Sequence, residues 1–153
     1  MNLVENKLAI LHADAKKDVL RIGKGIAKSI FRPIQPKDFE QAYLPISKKQ
    51  GRVIRDLIIE RNCKNIIEFG TSFGISTLFL AQGVLETGGY IITTELIETK
   101  ALKAIENFKL AGVSDLIEGV LNGRYRAIAR LITQVVVNPM NGHLADHSRC
   151  YHA

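Results

Sequence analysis

The 153-residue chain has no tryptophan, two cysteines, two methionines and four prolines, and aromatic residues make up 7% of it. Cys63 and Cys150 form no C-x-x-C pair and no disulfide framework. That excludes a disulfide-stapled secreted scaffold and predicts a reducing, cytoplasmic setting. No run approaches the roughly 18 apolar residues that a membrane span needs. Glu5, Lys7 and Asp14 interrupt the N-terminal apolar residues, so no signal-peptide core is read there. The formal charge of +6 would suit an anionic partner, but the basic residues are scattered and no aromatic residues interleave with them in a stacking pattern. Neither a nucleic-acid nor a membrane partner is therefore expected. With 46% hydrophobic and 24% charged residues, the chain reads as soluble and long enough for one core.

The richest stretch is Ile66-Ile67-Glu68-Phe69-Gly70-Thr71-Ser72-Phe73-Gly74-Ile75-Ser76. An apolar run stops at an acid, a glycine-bracketed loop follows, and a helical pattern opens. In α/β folds a strand feeding a tight turn and a helix start is where nucleotide-like cofactors bind. The glycine spacing is G-x-x-x-G, not the G-x-G-x-x-G of dinucleotide sites. Glu68, two residues before Gly70, would repel a pyrophosphate but could hold a cationic amino-acid group. Glu95 closes the next apolar run, Tyr90 to Thr94, where an acid can accept hydrogen bonds from ribose hydroxyls. A ligand with both a ribose and a cationic amino-acid tail is S-adenosylmethionine.

Along the chain, apolar residues recur at spacings of three and four over 3–31, predicting one long helix or two short ones, a candidate contact for a second copy. A basic amphipathic helix on a membrane surface is the less favoured reading of this stripe. Pro33 and Pro36 end it. Ser47 suits the N-cap of a helix over 48–61, with Val53, Ile54, Leu57 and Ile58 on its buried side. A strand is predicted over 65–69, a helix over 75–85, a strand over 90–94 and a helix over 97–111. That last helix carries Ala101, Leu102, Ile105, Phe108 and Leu110 as its apolar positions and Gly112 as its C-cap. A short third strand follows Val113–Glu118. Strand, helix, strand, helix, strand at these lengths predicts parallel pairing with right-handed crossovers.

Leu44-Pro45-Ile46-Ser47-Lys48-Lys49-Gln50-Gly51, Ile67 to Thr77, and Thr94-Glu95-Leu96 resemble the class I S-adenosylmethionine-dependent methyltransferases. Within them the similarity is to the O-methyltransferases related to catechol O-methyltransferase, over about Leu44 to Gly119. The resemblance implies a Rossmann-like α/β sheet that transfers a methyl group to a small-molecule acceptor. It implies cofactor contacts from Ser47, Glu68, Gly70, Thr71, Ser72, Gly74, Ser76, Glu95 and Leu96. Ser76 could touch the methionine carboxylate or simply cap its helix, and Leu96 would flank the adenosine. Members of the family often use a divalent metal; its ligands cannot be assigned in this sequence, and neither can a catalytic residue.

After Gly119 the match departs. The family usually has an acid beside the adenine where this chain has Val120. Leu131–Val137 reads as a fourth strand after a helix over 124–130, but it ends at Asn138-Pro139 where an aspartate is expected. The tail's His143, His147, Cys150 and His152 carry no zinc-site signature. The expected organisation is an N-terminal helical extension (1–43), a partial cofactor-binding domain of three to four parallel strands (44–138) and a disordered tail (139–153). The chain is read as truncated, its end as a shifted reading frame. A cofactor-binding module without activity is the first alternative, and a nicotinamide-dinucleotide domain the second.

Overall fold

Three parallel strands in the order β1-β2-β3 form the sheet of the computed structural model: β1 (Asn65–Phe69), β2 (Tyr90–Glu95) and β3 (Ile117–Leu121). The structure describes residues 2–18, 21–22, 41–43 and 45–121. All of them lie in the first of two units, Met1–Asn122. The readings of a fourth strand, the helix before it, the tail and its histidines fall outside the described residues. The register aligns Glu68 with Thr93 and Thr93 with Gly119. Because side chains alternate along a strand, Ile66, Glu68, Ile91, Thr93 and Glu95 share one face.

Among the described residues four α-helices of thirteen or fourteen residues accompany the sheet: α1 (Leu3–Ala15), α2 (Lys48–Glu60), α3 (Ile75–Thr87) and α4 (Glu98–Ala111). Both α3 and α4 pack on β2, α2 packs on α3, and α1 lies against α3 and α4. Each helix has a legible start or stop. The Asn2 side chain accepts from the Val4 N–H at α1, and Ser47 and Gln50 form a reciprocal capping box at α2. Gly88 and Gly112 end α3 and α4 in the left-handed conformation. No helix among the described residues is long and apolar enough to cross a membrane.

One expectation needs correction, the buried side of α2, and one alternative is settled: the stripe over 3–31 does not form one long helix. α1 stops at Ala15, a turn occupies Lys16–Lys17, and the backbone is helical again at Asp18, Arg21 and Ile22. At this break the Asp14 carbonyl accepts both the Lys17 N–H (3.0 Å) and the Arg21 guanidinium (3.1 Å), which closes the end of α1. In α2 the buried face is Gly51 and Ile58 with Ile54 beside them, while Val53 and Leu57 are exposed. In α4 the buried stripe is Ala101, Ala104, Phe108 and Ala111, and Leu102 and Leu110 are exposed. In both helices small residues that let neighbours approach share the buried face with one bulky apolar residue, Ile58 in α2 and Phe108 in α4.

Gly51 shows how tight that approach is. A Cβ added there would lie 2.2 Å from Phe79 Cδ2 of α3. An alanine in a helix interior normally gains about 1 kcal/mol over glycine. Here overpacking, of order 1–3 kcal/mol, opposes that gain. Gly51→Ala is therefore expected to lower the midpoint of thermal unfolding; an unchanged or raised midpoint in a melt followed by circular dichroism would contradict this packing.

Candidate functional site

The chain leaves β1 at Phe69 and turns through residues 70–74 into α3. Gly70 (φ +89°) and Gly74 (φ +87°) both lie in the left-handed region that glycine occupies without a steric penalty. Their surroundings differ. A Cβ at Gly74 would stand 2.4 Å from Phe108 Cε1, so this glycine is fixed by core packing. A Cβ at Gly70 would meet nothing within 4 Å. Gly70 faces open space, and its backbone can be approached from outside.

The loop is pinned by its backbone. The Gly70 and Thr71 N–H groups both donate to the Thr94 carbonyl (2.9 and 2.8 Å), and Gly74 N–H donates to the Thr71 carbonyl (2.8 Å). Ser72 has φ +49°, an uncommon conformation for a residue with a side chain. Two bonds hold it there. Its N–H donates to Glu95 Oε2 (2.7 Å) and its hydroxyl donates to the Tyr43 carbonyl (2.9 Å).

Behind the loop, four side chains form one polar knot. The Thr77 and Thr93 hydroxyls each donate to Glu68 Oε2 at 2.6 Å. With its proton committed to Glu68, Thr93 accepts from Thr71 Oγ1, also at 2.6 Å. All three threonines are buried. Hydrogen bonds to a charged acceptor contribute about 1.5–3 kcal/mol each, and these tie β1, β2, the loop and α3 at one point. Glu68 Oε1 has no hydrogen-bond partner among the described residues. Glu68 lines a cleft of about 230 Å³ together with Tyr43, Ile46, the loop residues Gly70–Phe73, and Ile75 and Ser76 of α3. The N-cap Gly74 gives α3 no side-chain cap, so the N–H groups of its first turn are available to a ligand.

The remaining wall comes from the segment before Ser47. Tyr43 stacks on Phe73, with ring centroids 4.1 Å apart. Arg21 lies over the Tyr43 ring (5.1 Å) and Lys100 over the Phe73 ring (5.5 Å), so two cations flank the aromatic pair. Lys100 is buried and donates to the Ala42 carbonyl (2.8 Å); buried Asn107 donates to the Phe73 carbonyl (2.9 Å). Tyr43 N–H donates to Asp18 (2.9 Å), and Arg21 bridges Asp18 (3.1 Å) and Asp14 (2.7 Å). Burial, reinforced by the nearby Asp14 carboxylate, pushes the Tyr43 phenol up to about 12, which keeps it protonated.

Of the residues read from the sequence, Glu68, Gly70, Thr71, Ser72 and Ser76 line the cleft together. Gly74 is buried behind them. Glu95 reaches the loop through Ser72, and its other oxygen accepts the N–H groups of Leu96 (2.8 Å) and Ile97 (2.9 Å). Leu96 is exposed beside it. Ser47 is not brought to the cleft: it is exposed and its hydroxyl is engaged in the α2 cap, while its neighbour Ile46 lines the wall. Nor does Ser76 cap its helix. Sequence reasoning missed Thr77, Thr93, Tyr43, Phe73 and Lys100. Thr93, in the middle of an apolar strand, was the readable signal, because a buried hydroxyl needs a partner.

An O-methyltransferase family model matches residues 31–141. The chain belongs to the O-methyltransferase family. No curated protein sequence matches it significantly. Among solved structures it resembles an O-methyltransferase from Bacillus cereus in complex with SAH, at 31% identity and TM-score 0.52, over 56% of this chain and 39% of that one. It also resembles TomG of Streptomyces achromogenes, an O-methyltransferase of tomaymycin synthesis in complex with SAM, at 27% identity and TM-score 0.55, over 62% and 42%. Cofactor-bound Rv0187 from MTB is similar at 25% identity and TM-score 0.54, over 72% and 47%. The chain thus spans less than half the length of these relatives.

In this O-methyltransferase chain the brace around Tyr43 is sensitive to acid. The Arg21 guanidinium, with help from the Tyr43 hydroxyl and Lys17, holds Asp14 at about 2 against an ordinary 3.8. A carboxyl depressed in the folded state stabilises above its unfolded value, and that contribution disappears as pH falls from about 4 towards 2. Asp14→Asn should lower the melting temperature near neutral pH and flatten its fall over that acid range. Parallel acid profiles for the two chains would contradict the brace.

Proposed function

We propose that the chain provides the S-adenosylmethionine-binding part of an enzyme that O-methylates a small molecule. The observation that carries this reading is a carboxylate with one unclaimed oxygen lining the same cleft as an uncapped helix start. Glu68 Oε1 would accept the ammonium of the cofactor's amino-acid end, held in aim by Thr77 and Thr93. The first-turn N–H groups of α3, at Ile75 and Ser76, would receive its carboxylate. Gly70, with open space where a side chain would stand, gives the cofactor room against the backbone. Glu95 accepts three N–H bonds from Ser72, Leu96 and Ile97. A carboxylate has about four lone-pair sites, which leaves it capacity for a ribose hydroxyl. Leu96 is placed to flank the adenosine. Ser47 acts at one remove, fixing where α2 begins beside Ile46.

The bound cofactor supplies an electrophilic methyl group on a sulfonium. What this chain's residues contribute is binding and alignment of that group, so that the acceptor oxygen meets it in line. The base that takes the acceptor's proton is not assigned to any described residue. Among the described residues no group of three or more His, Cys, Asp or Glu side chains is arranged to hold a metal ion, so the divalent metal that the family resemblance implies has no assigned site here. The nicotinamide reading is disfavoured by the G-x-x-x-G spacing and by Glu68, which would face a pyrophosphate with like charge.

Calorimetric titration of the full chain with S-adenosylhomocysteine tests the reading. Saturable binding is expected, with no comparable affinity for NAD. Glu68→Gln, which keeps the acceptor but removes the charge facing the ammonium, should weaken binding about tenfold or more, the scale of one charge-assisted hydrogen bond. A folded sample that prefers NAD, or that ignores S-adenosylhomocysteine, sinks the proposal.

A further inference from the structure

A second cavity, of about 290 Å³, lies between α1, α2 and α3 and shares no lining residue with the cofactor cleft. Its floor is apolar: Leu8 of α1 and Phe79 of α3 are both buried, and the His12 imidazole meets the Phe79 ring edge-on at 6.1 Å. Its α2 side is cationic. Lys48 and Arg52 stand one helical turn apart and both line the cavity. Neither has an acidic partner within ion-pair distance among the described residues. Arg55, also in the lining, is turned to Asp56 (2.7 Å). Glu5 is the acid in the lining, on α1.

Two residues of the lining also carry a buried polar atom, His12 Nε2 of α1 and Gln82 Oε1 of α3, with no hydrogen-bond partner among the described residues. Buried polar atoms are nearly always satisfied, and an exception calls for an explanation. An apolar floor with a few convergent polar groups at this size is also the usual composition of a small-ligand site. Burial, reinforced by Lys48, holds the imidazole below its ordinary value. The positive charge at the site therefore comes from α2 and not from His12.

We propose that this cavity binds a small aryl carboxylate. The ring lies on Leu8 and Phe79, and the carboxylate takes the donors of Arg52 and Lys48, of which the guanidinium fork offers two parallel bonds. The floor favours an anion with an apolar body over a bare inorganic anion, which would meet the same cations but cover neither Leu8 nor Phe79.

The test is calorimetric titration of the full chain with benzoate, with the neutral isostere benzamide, and with inorganic phosphate. Benzoate should bind saturably and more tightly than either of the others. Arg52→Gln and Lys48→Gln, both at exposed positions, should each weaken benzoate about tenfold, the scale of a charge-assisted contact. S-adenosylhomocysteine binding should be unchanged by both substitutions. The proposal is overturned if a folded chain binds no benzoate, if benzamide or phosphate binds as well, or if both variants bind benzoate as the parent does. Competition between benzoate and S-adenosylhomocysteine would overturn it too, since it would put benzoate in the cofactor cleft.

Discussion

The Glu68 carboxylate is held from behind by two buried hydroxyls, and the geometry of the site follows from that restraint. Thr77 and Thr93 both donate to one of its oxygens, and Thr71 supports Thr93. A carboxylate near the core would otherwise carry a large desolvation cost. The donors offset it and at the same time fix which oxygen turns towards the cleft. The knot joins the end of β1, the middle of β2, the loop and the first turn of α3. The position of the glycine loop relative to the helix start is therefore set by side chains as well as by the parallel ladder.

A second restraint acts on the other side of the loop. Ser72 is held in a sparsely populated conformation by Glu95 on one side and the Tyr43 carbonyl on the other. Strain of this kind persists where the surroundings over-determine it, and such places concentrate at binding sites. Tyr43 is in turn fixed by Asp18 and by the Asp14–Arg21 pair at the end of α1. The N-terminal helix is therefore part of the machinery that shapes the cleft. Lys100 and Asn107 add the corresponding restraint from α4.

Much of this was legible in the sequence, and the part that was not shares a cause. Gly70, Gly74, Gly88 and Gly112 marked backbone positions that only a turn or a cap requires, and all four adopt positive φ. The strands were found because apolar runs stopped at acids, and the Ser47 cap because its box with Gln50 is local. Long-range side-chain pairing has no such local trace. Nothing adjacent to Thr93 announces Glu68, 25 positions earlier, and nothing beside Lys100 announces Ala42, 58 positions away. The misread face of α2, and the burial of α4 along Ala101 and Ala104 and not Leu102 and Leu110, have the same origin. Periodicity located the helices, but which stripe was buried depended on how closely Gly51, Ala101 and Ala104 let a neighbour approach.

The most direct measurement is a crystal structure of the chain with S-adenosylhomocysteine. The account predicts the ligand's amino nitrogen at about 3 Å from Glu68 Oε1, with Thr77 and Thr93 still bonded to the opposite oxygen. It also predicts the ligand's carboxylate at the first-turn N–H groups of α3. A ligand bound elsewhere, or bound with Glu68 released from its threonines and facing no ligand nitrogen, would contradict the claim that this restrained carboxylate organises the site.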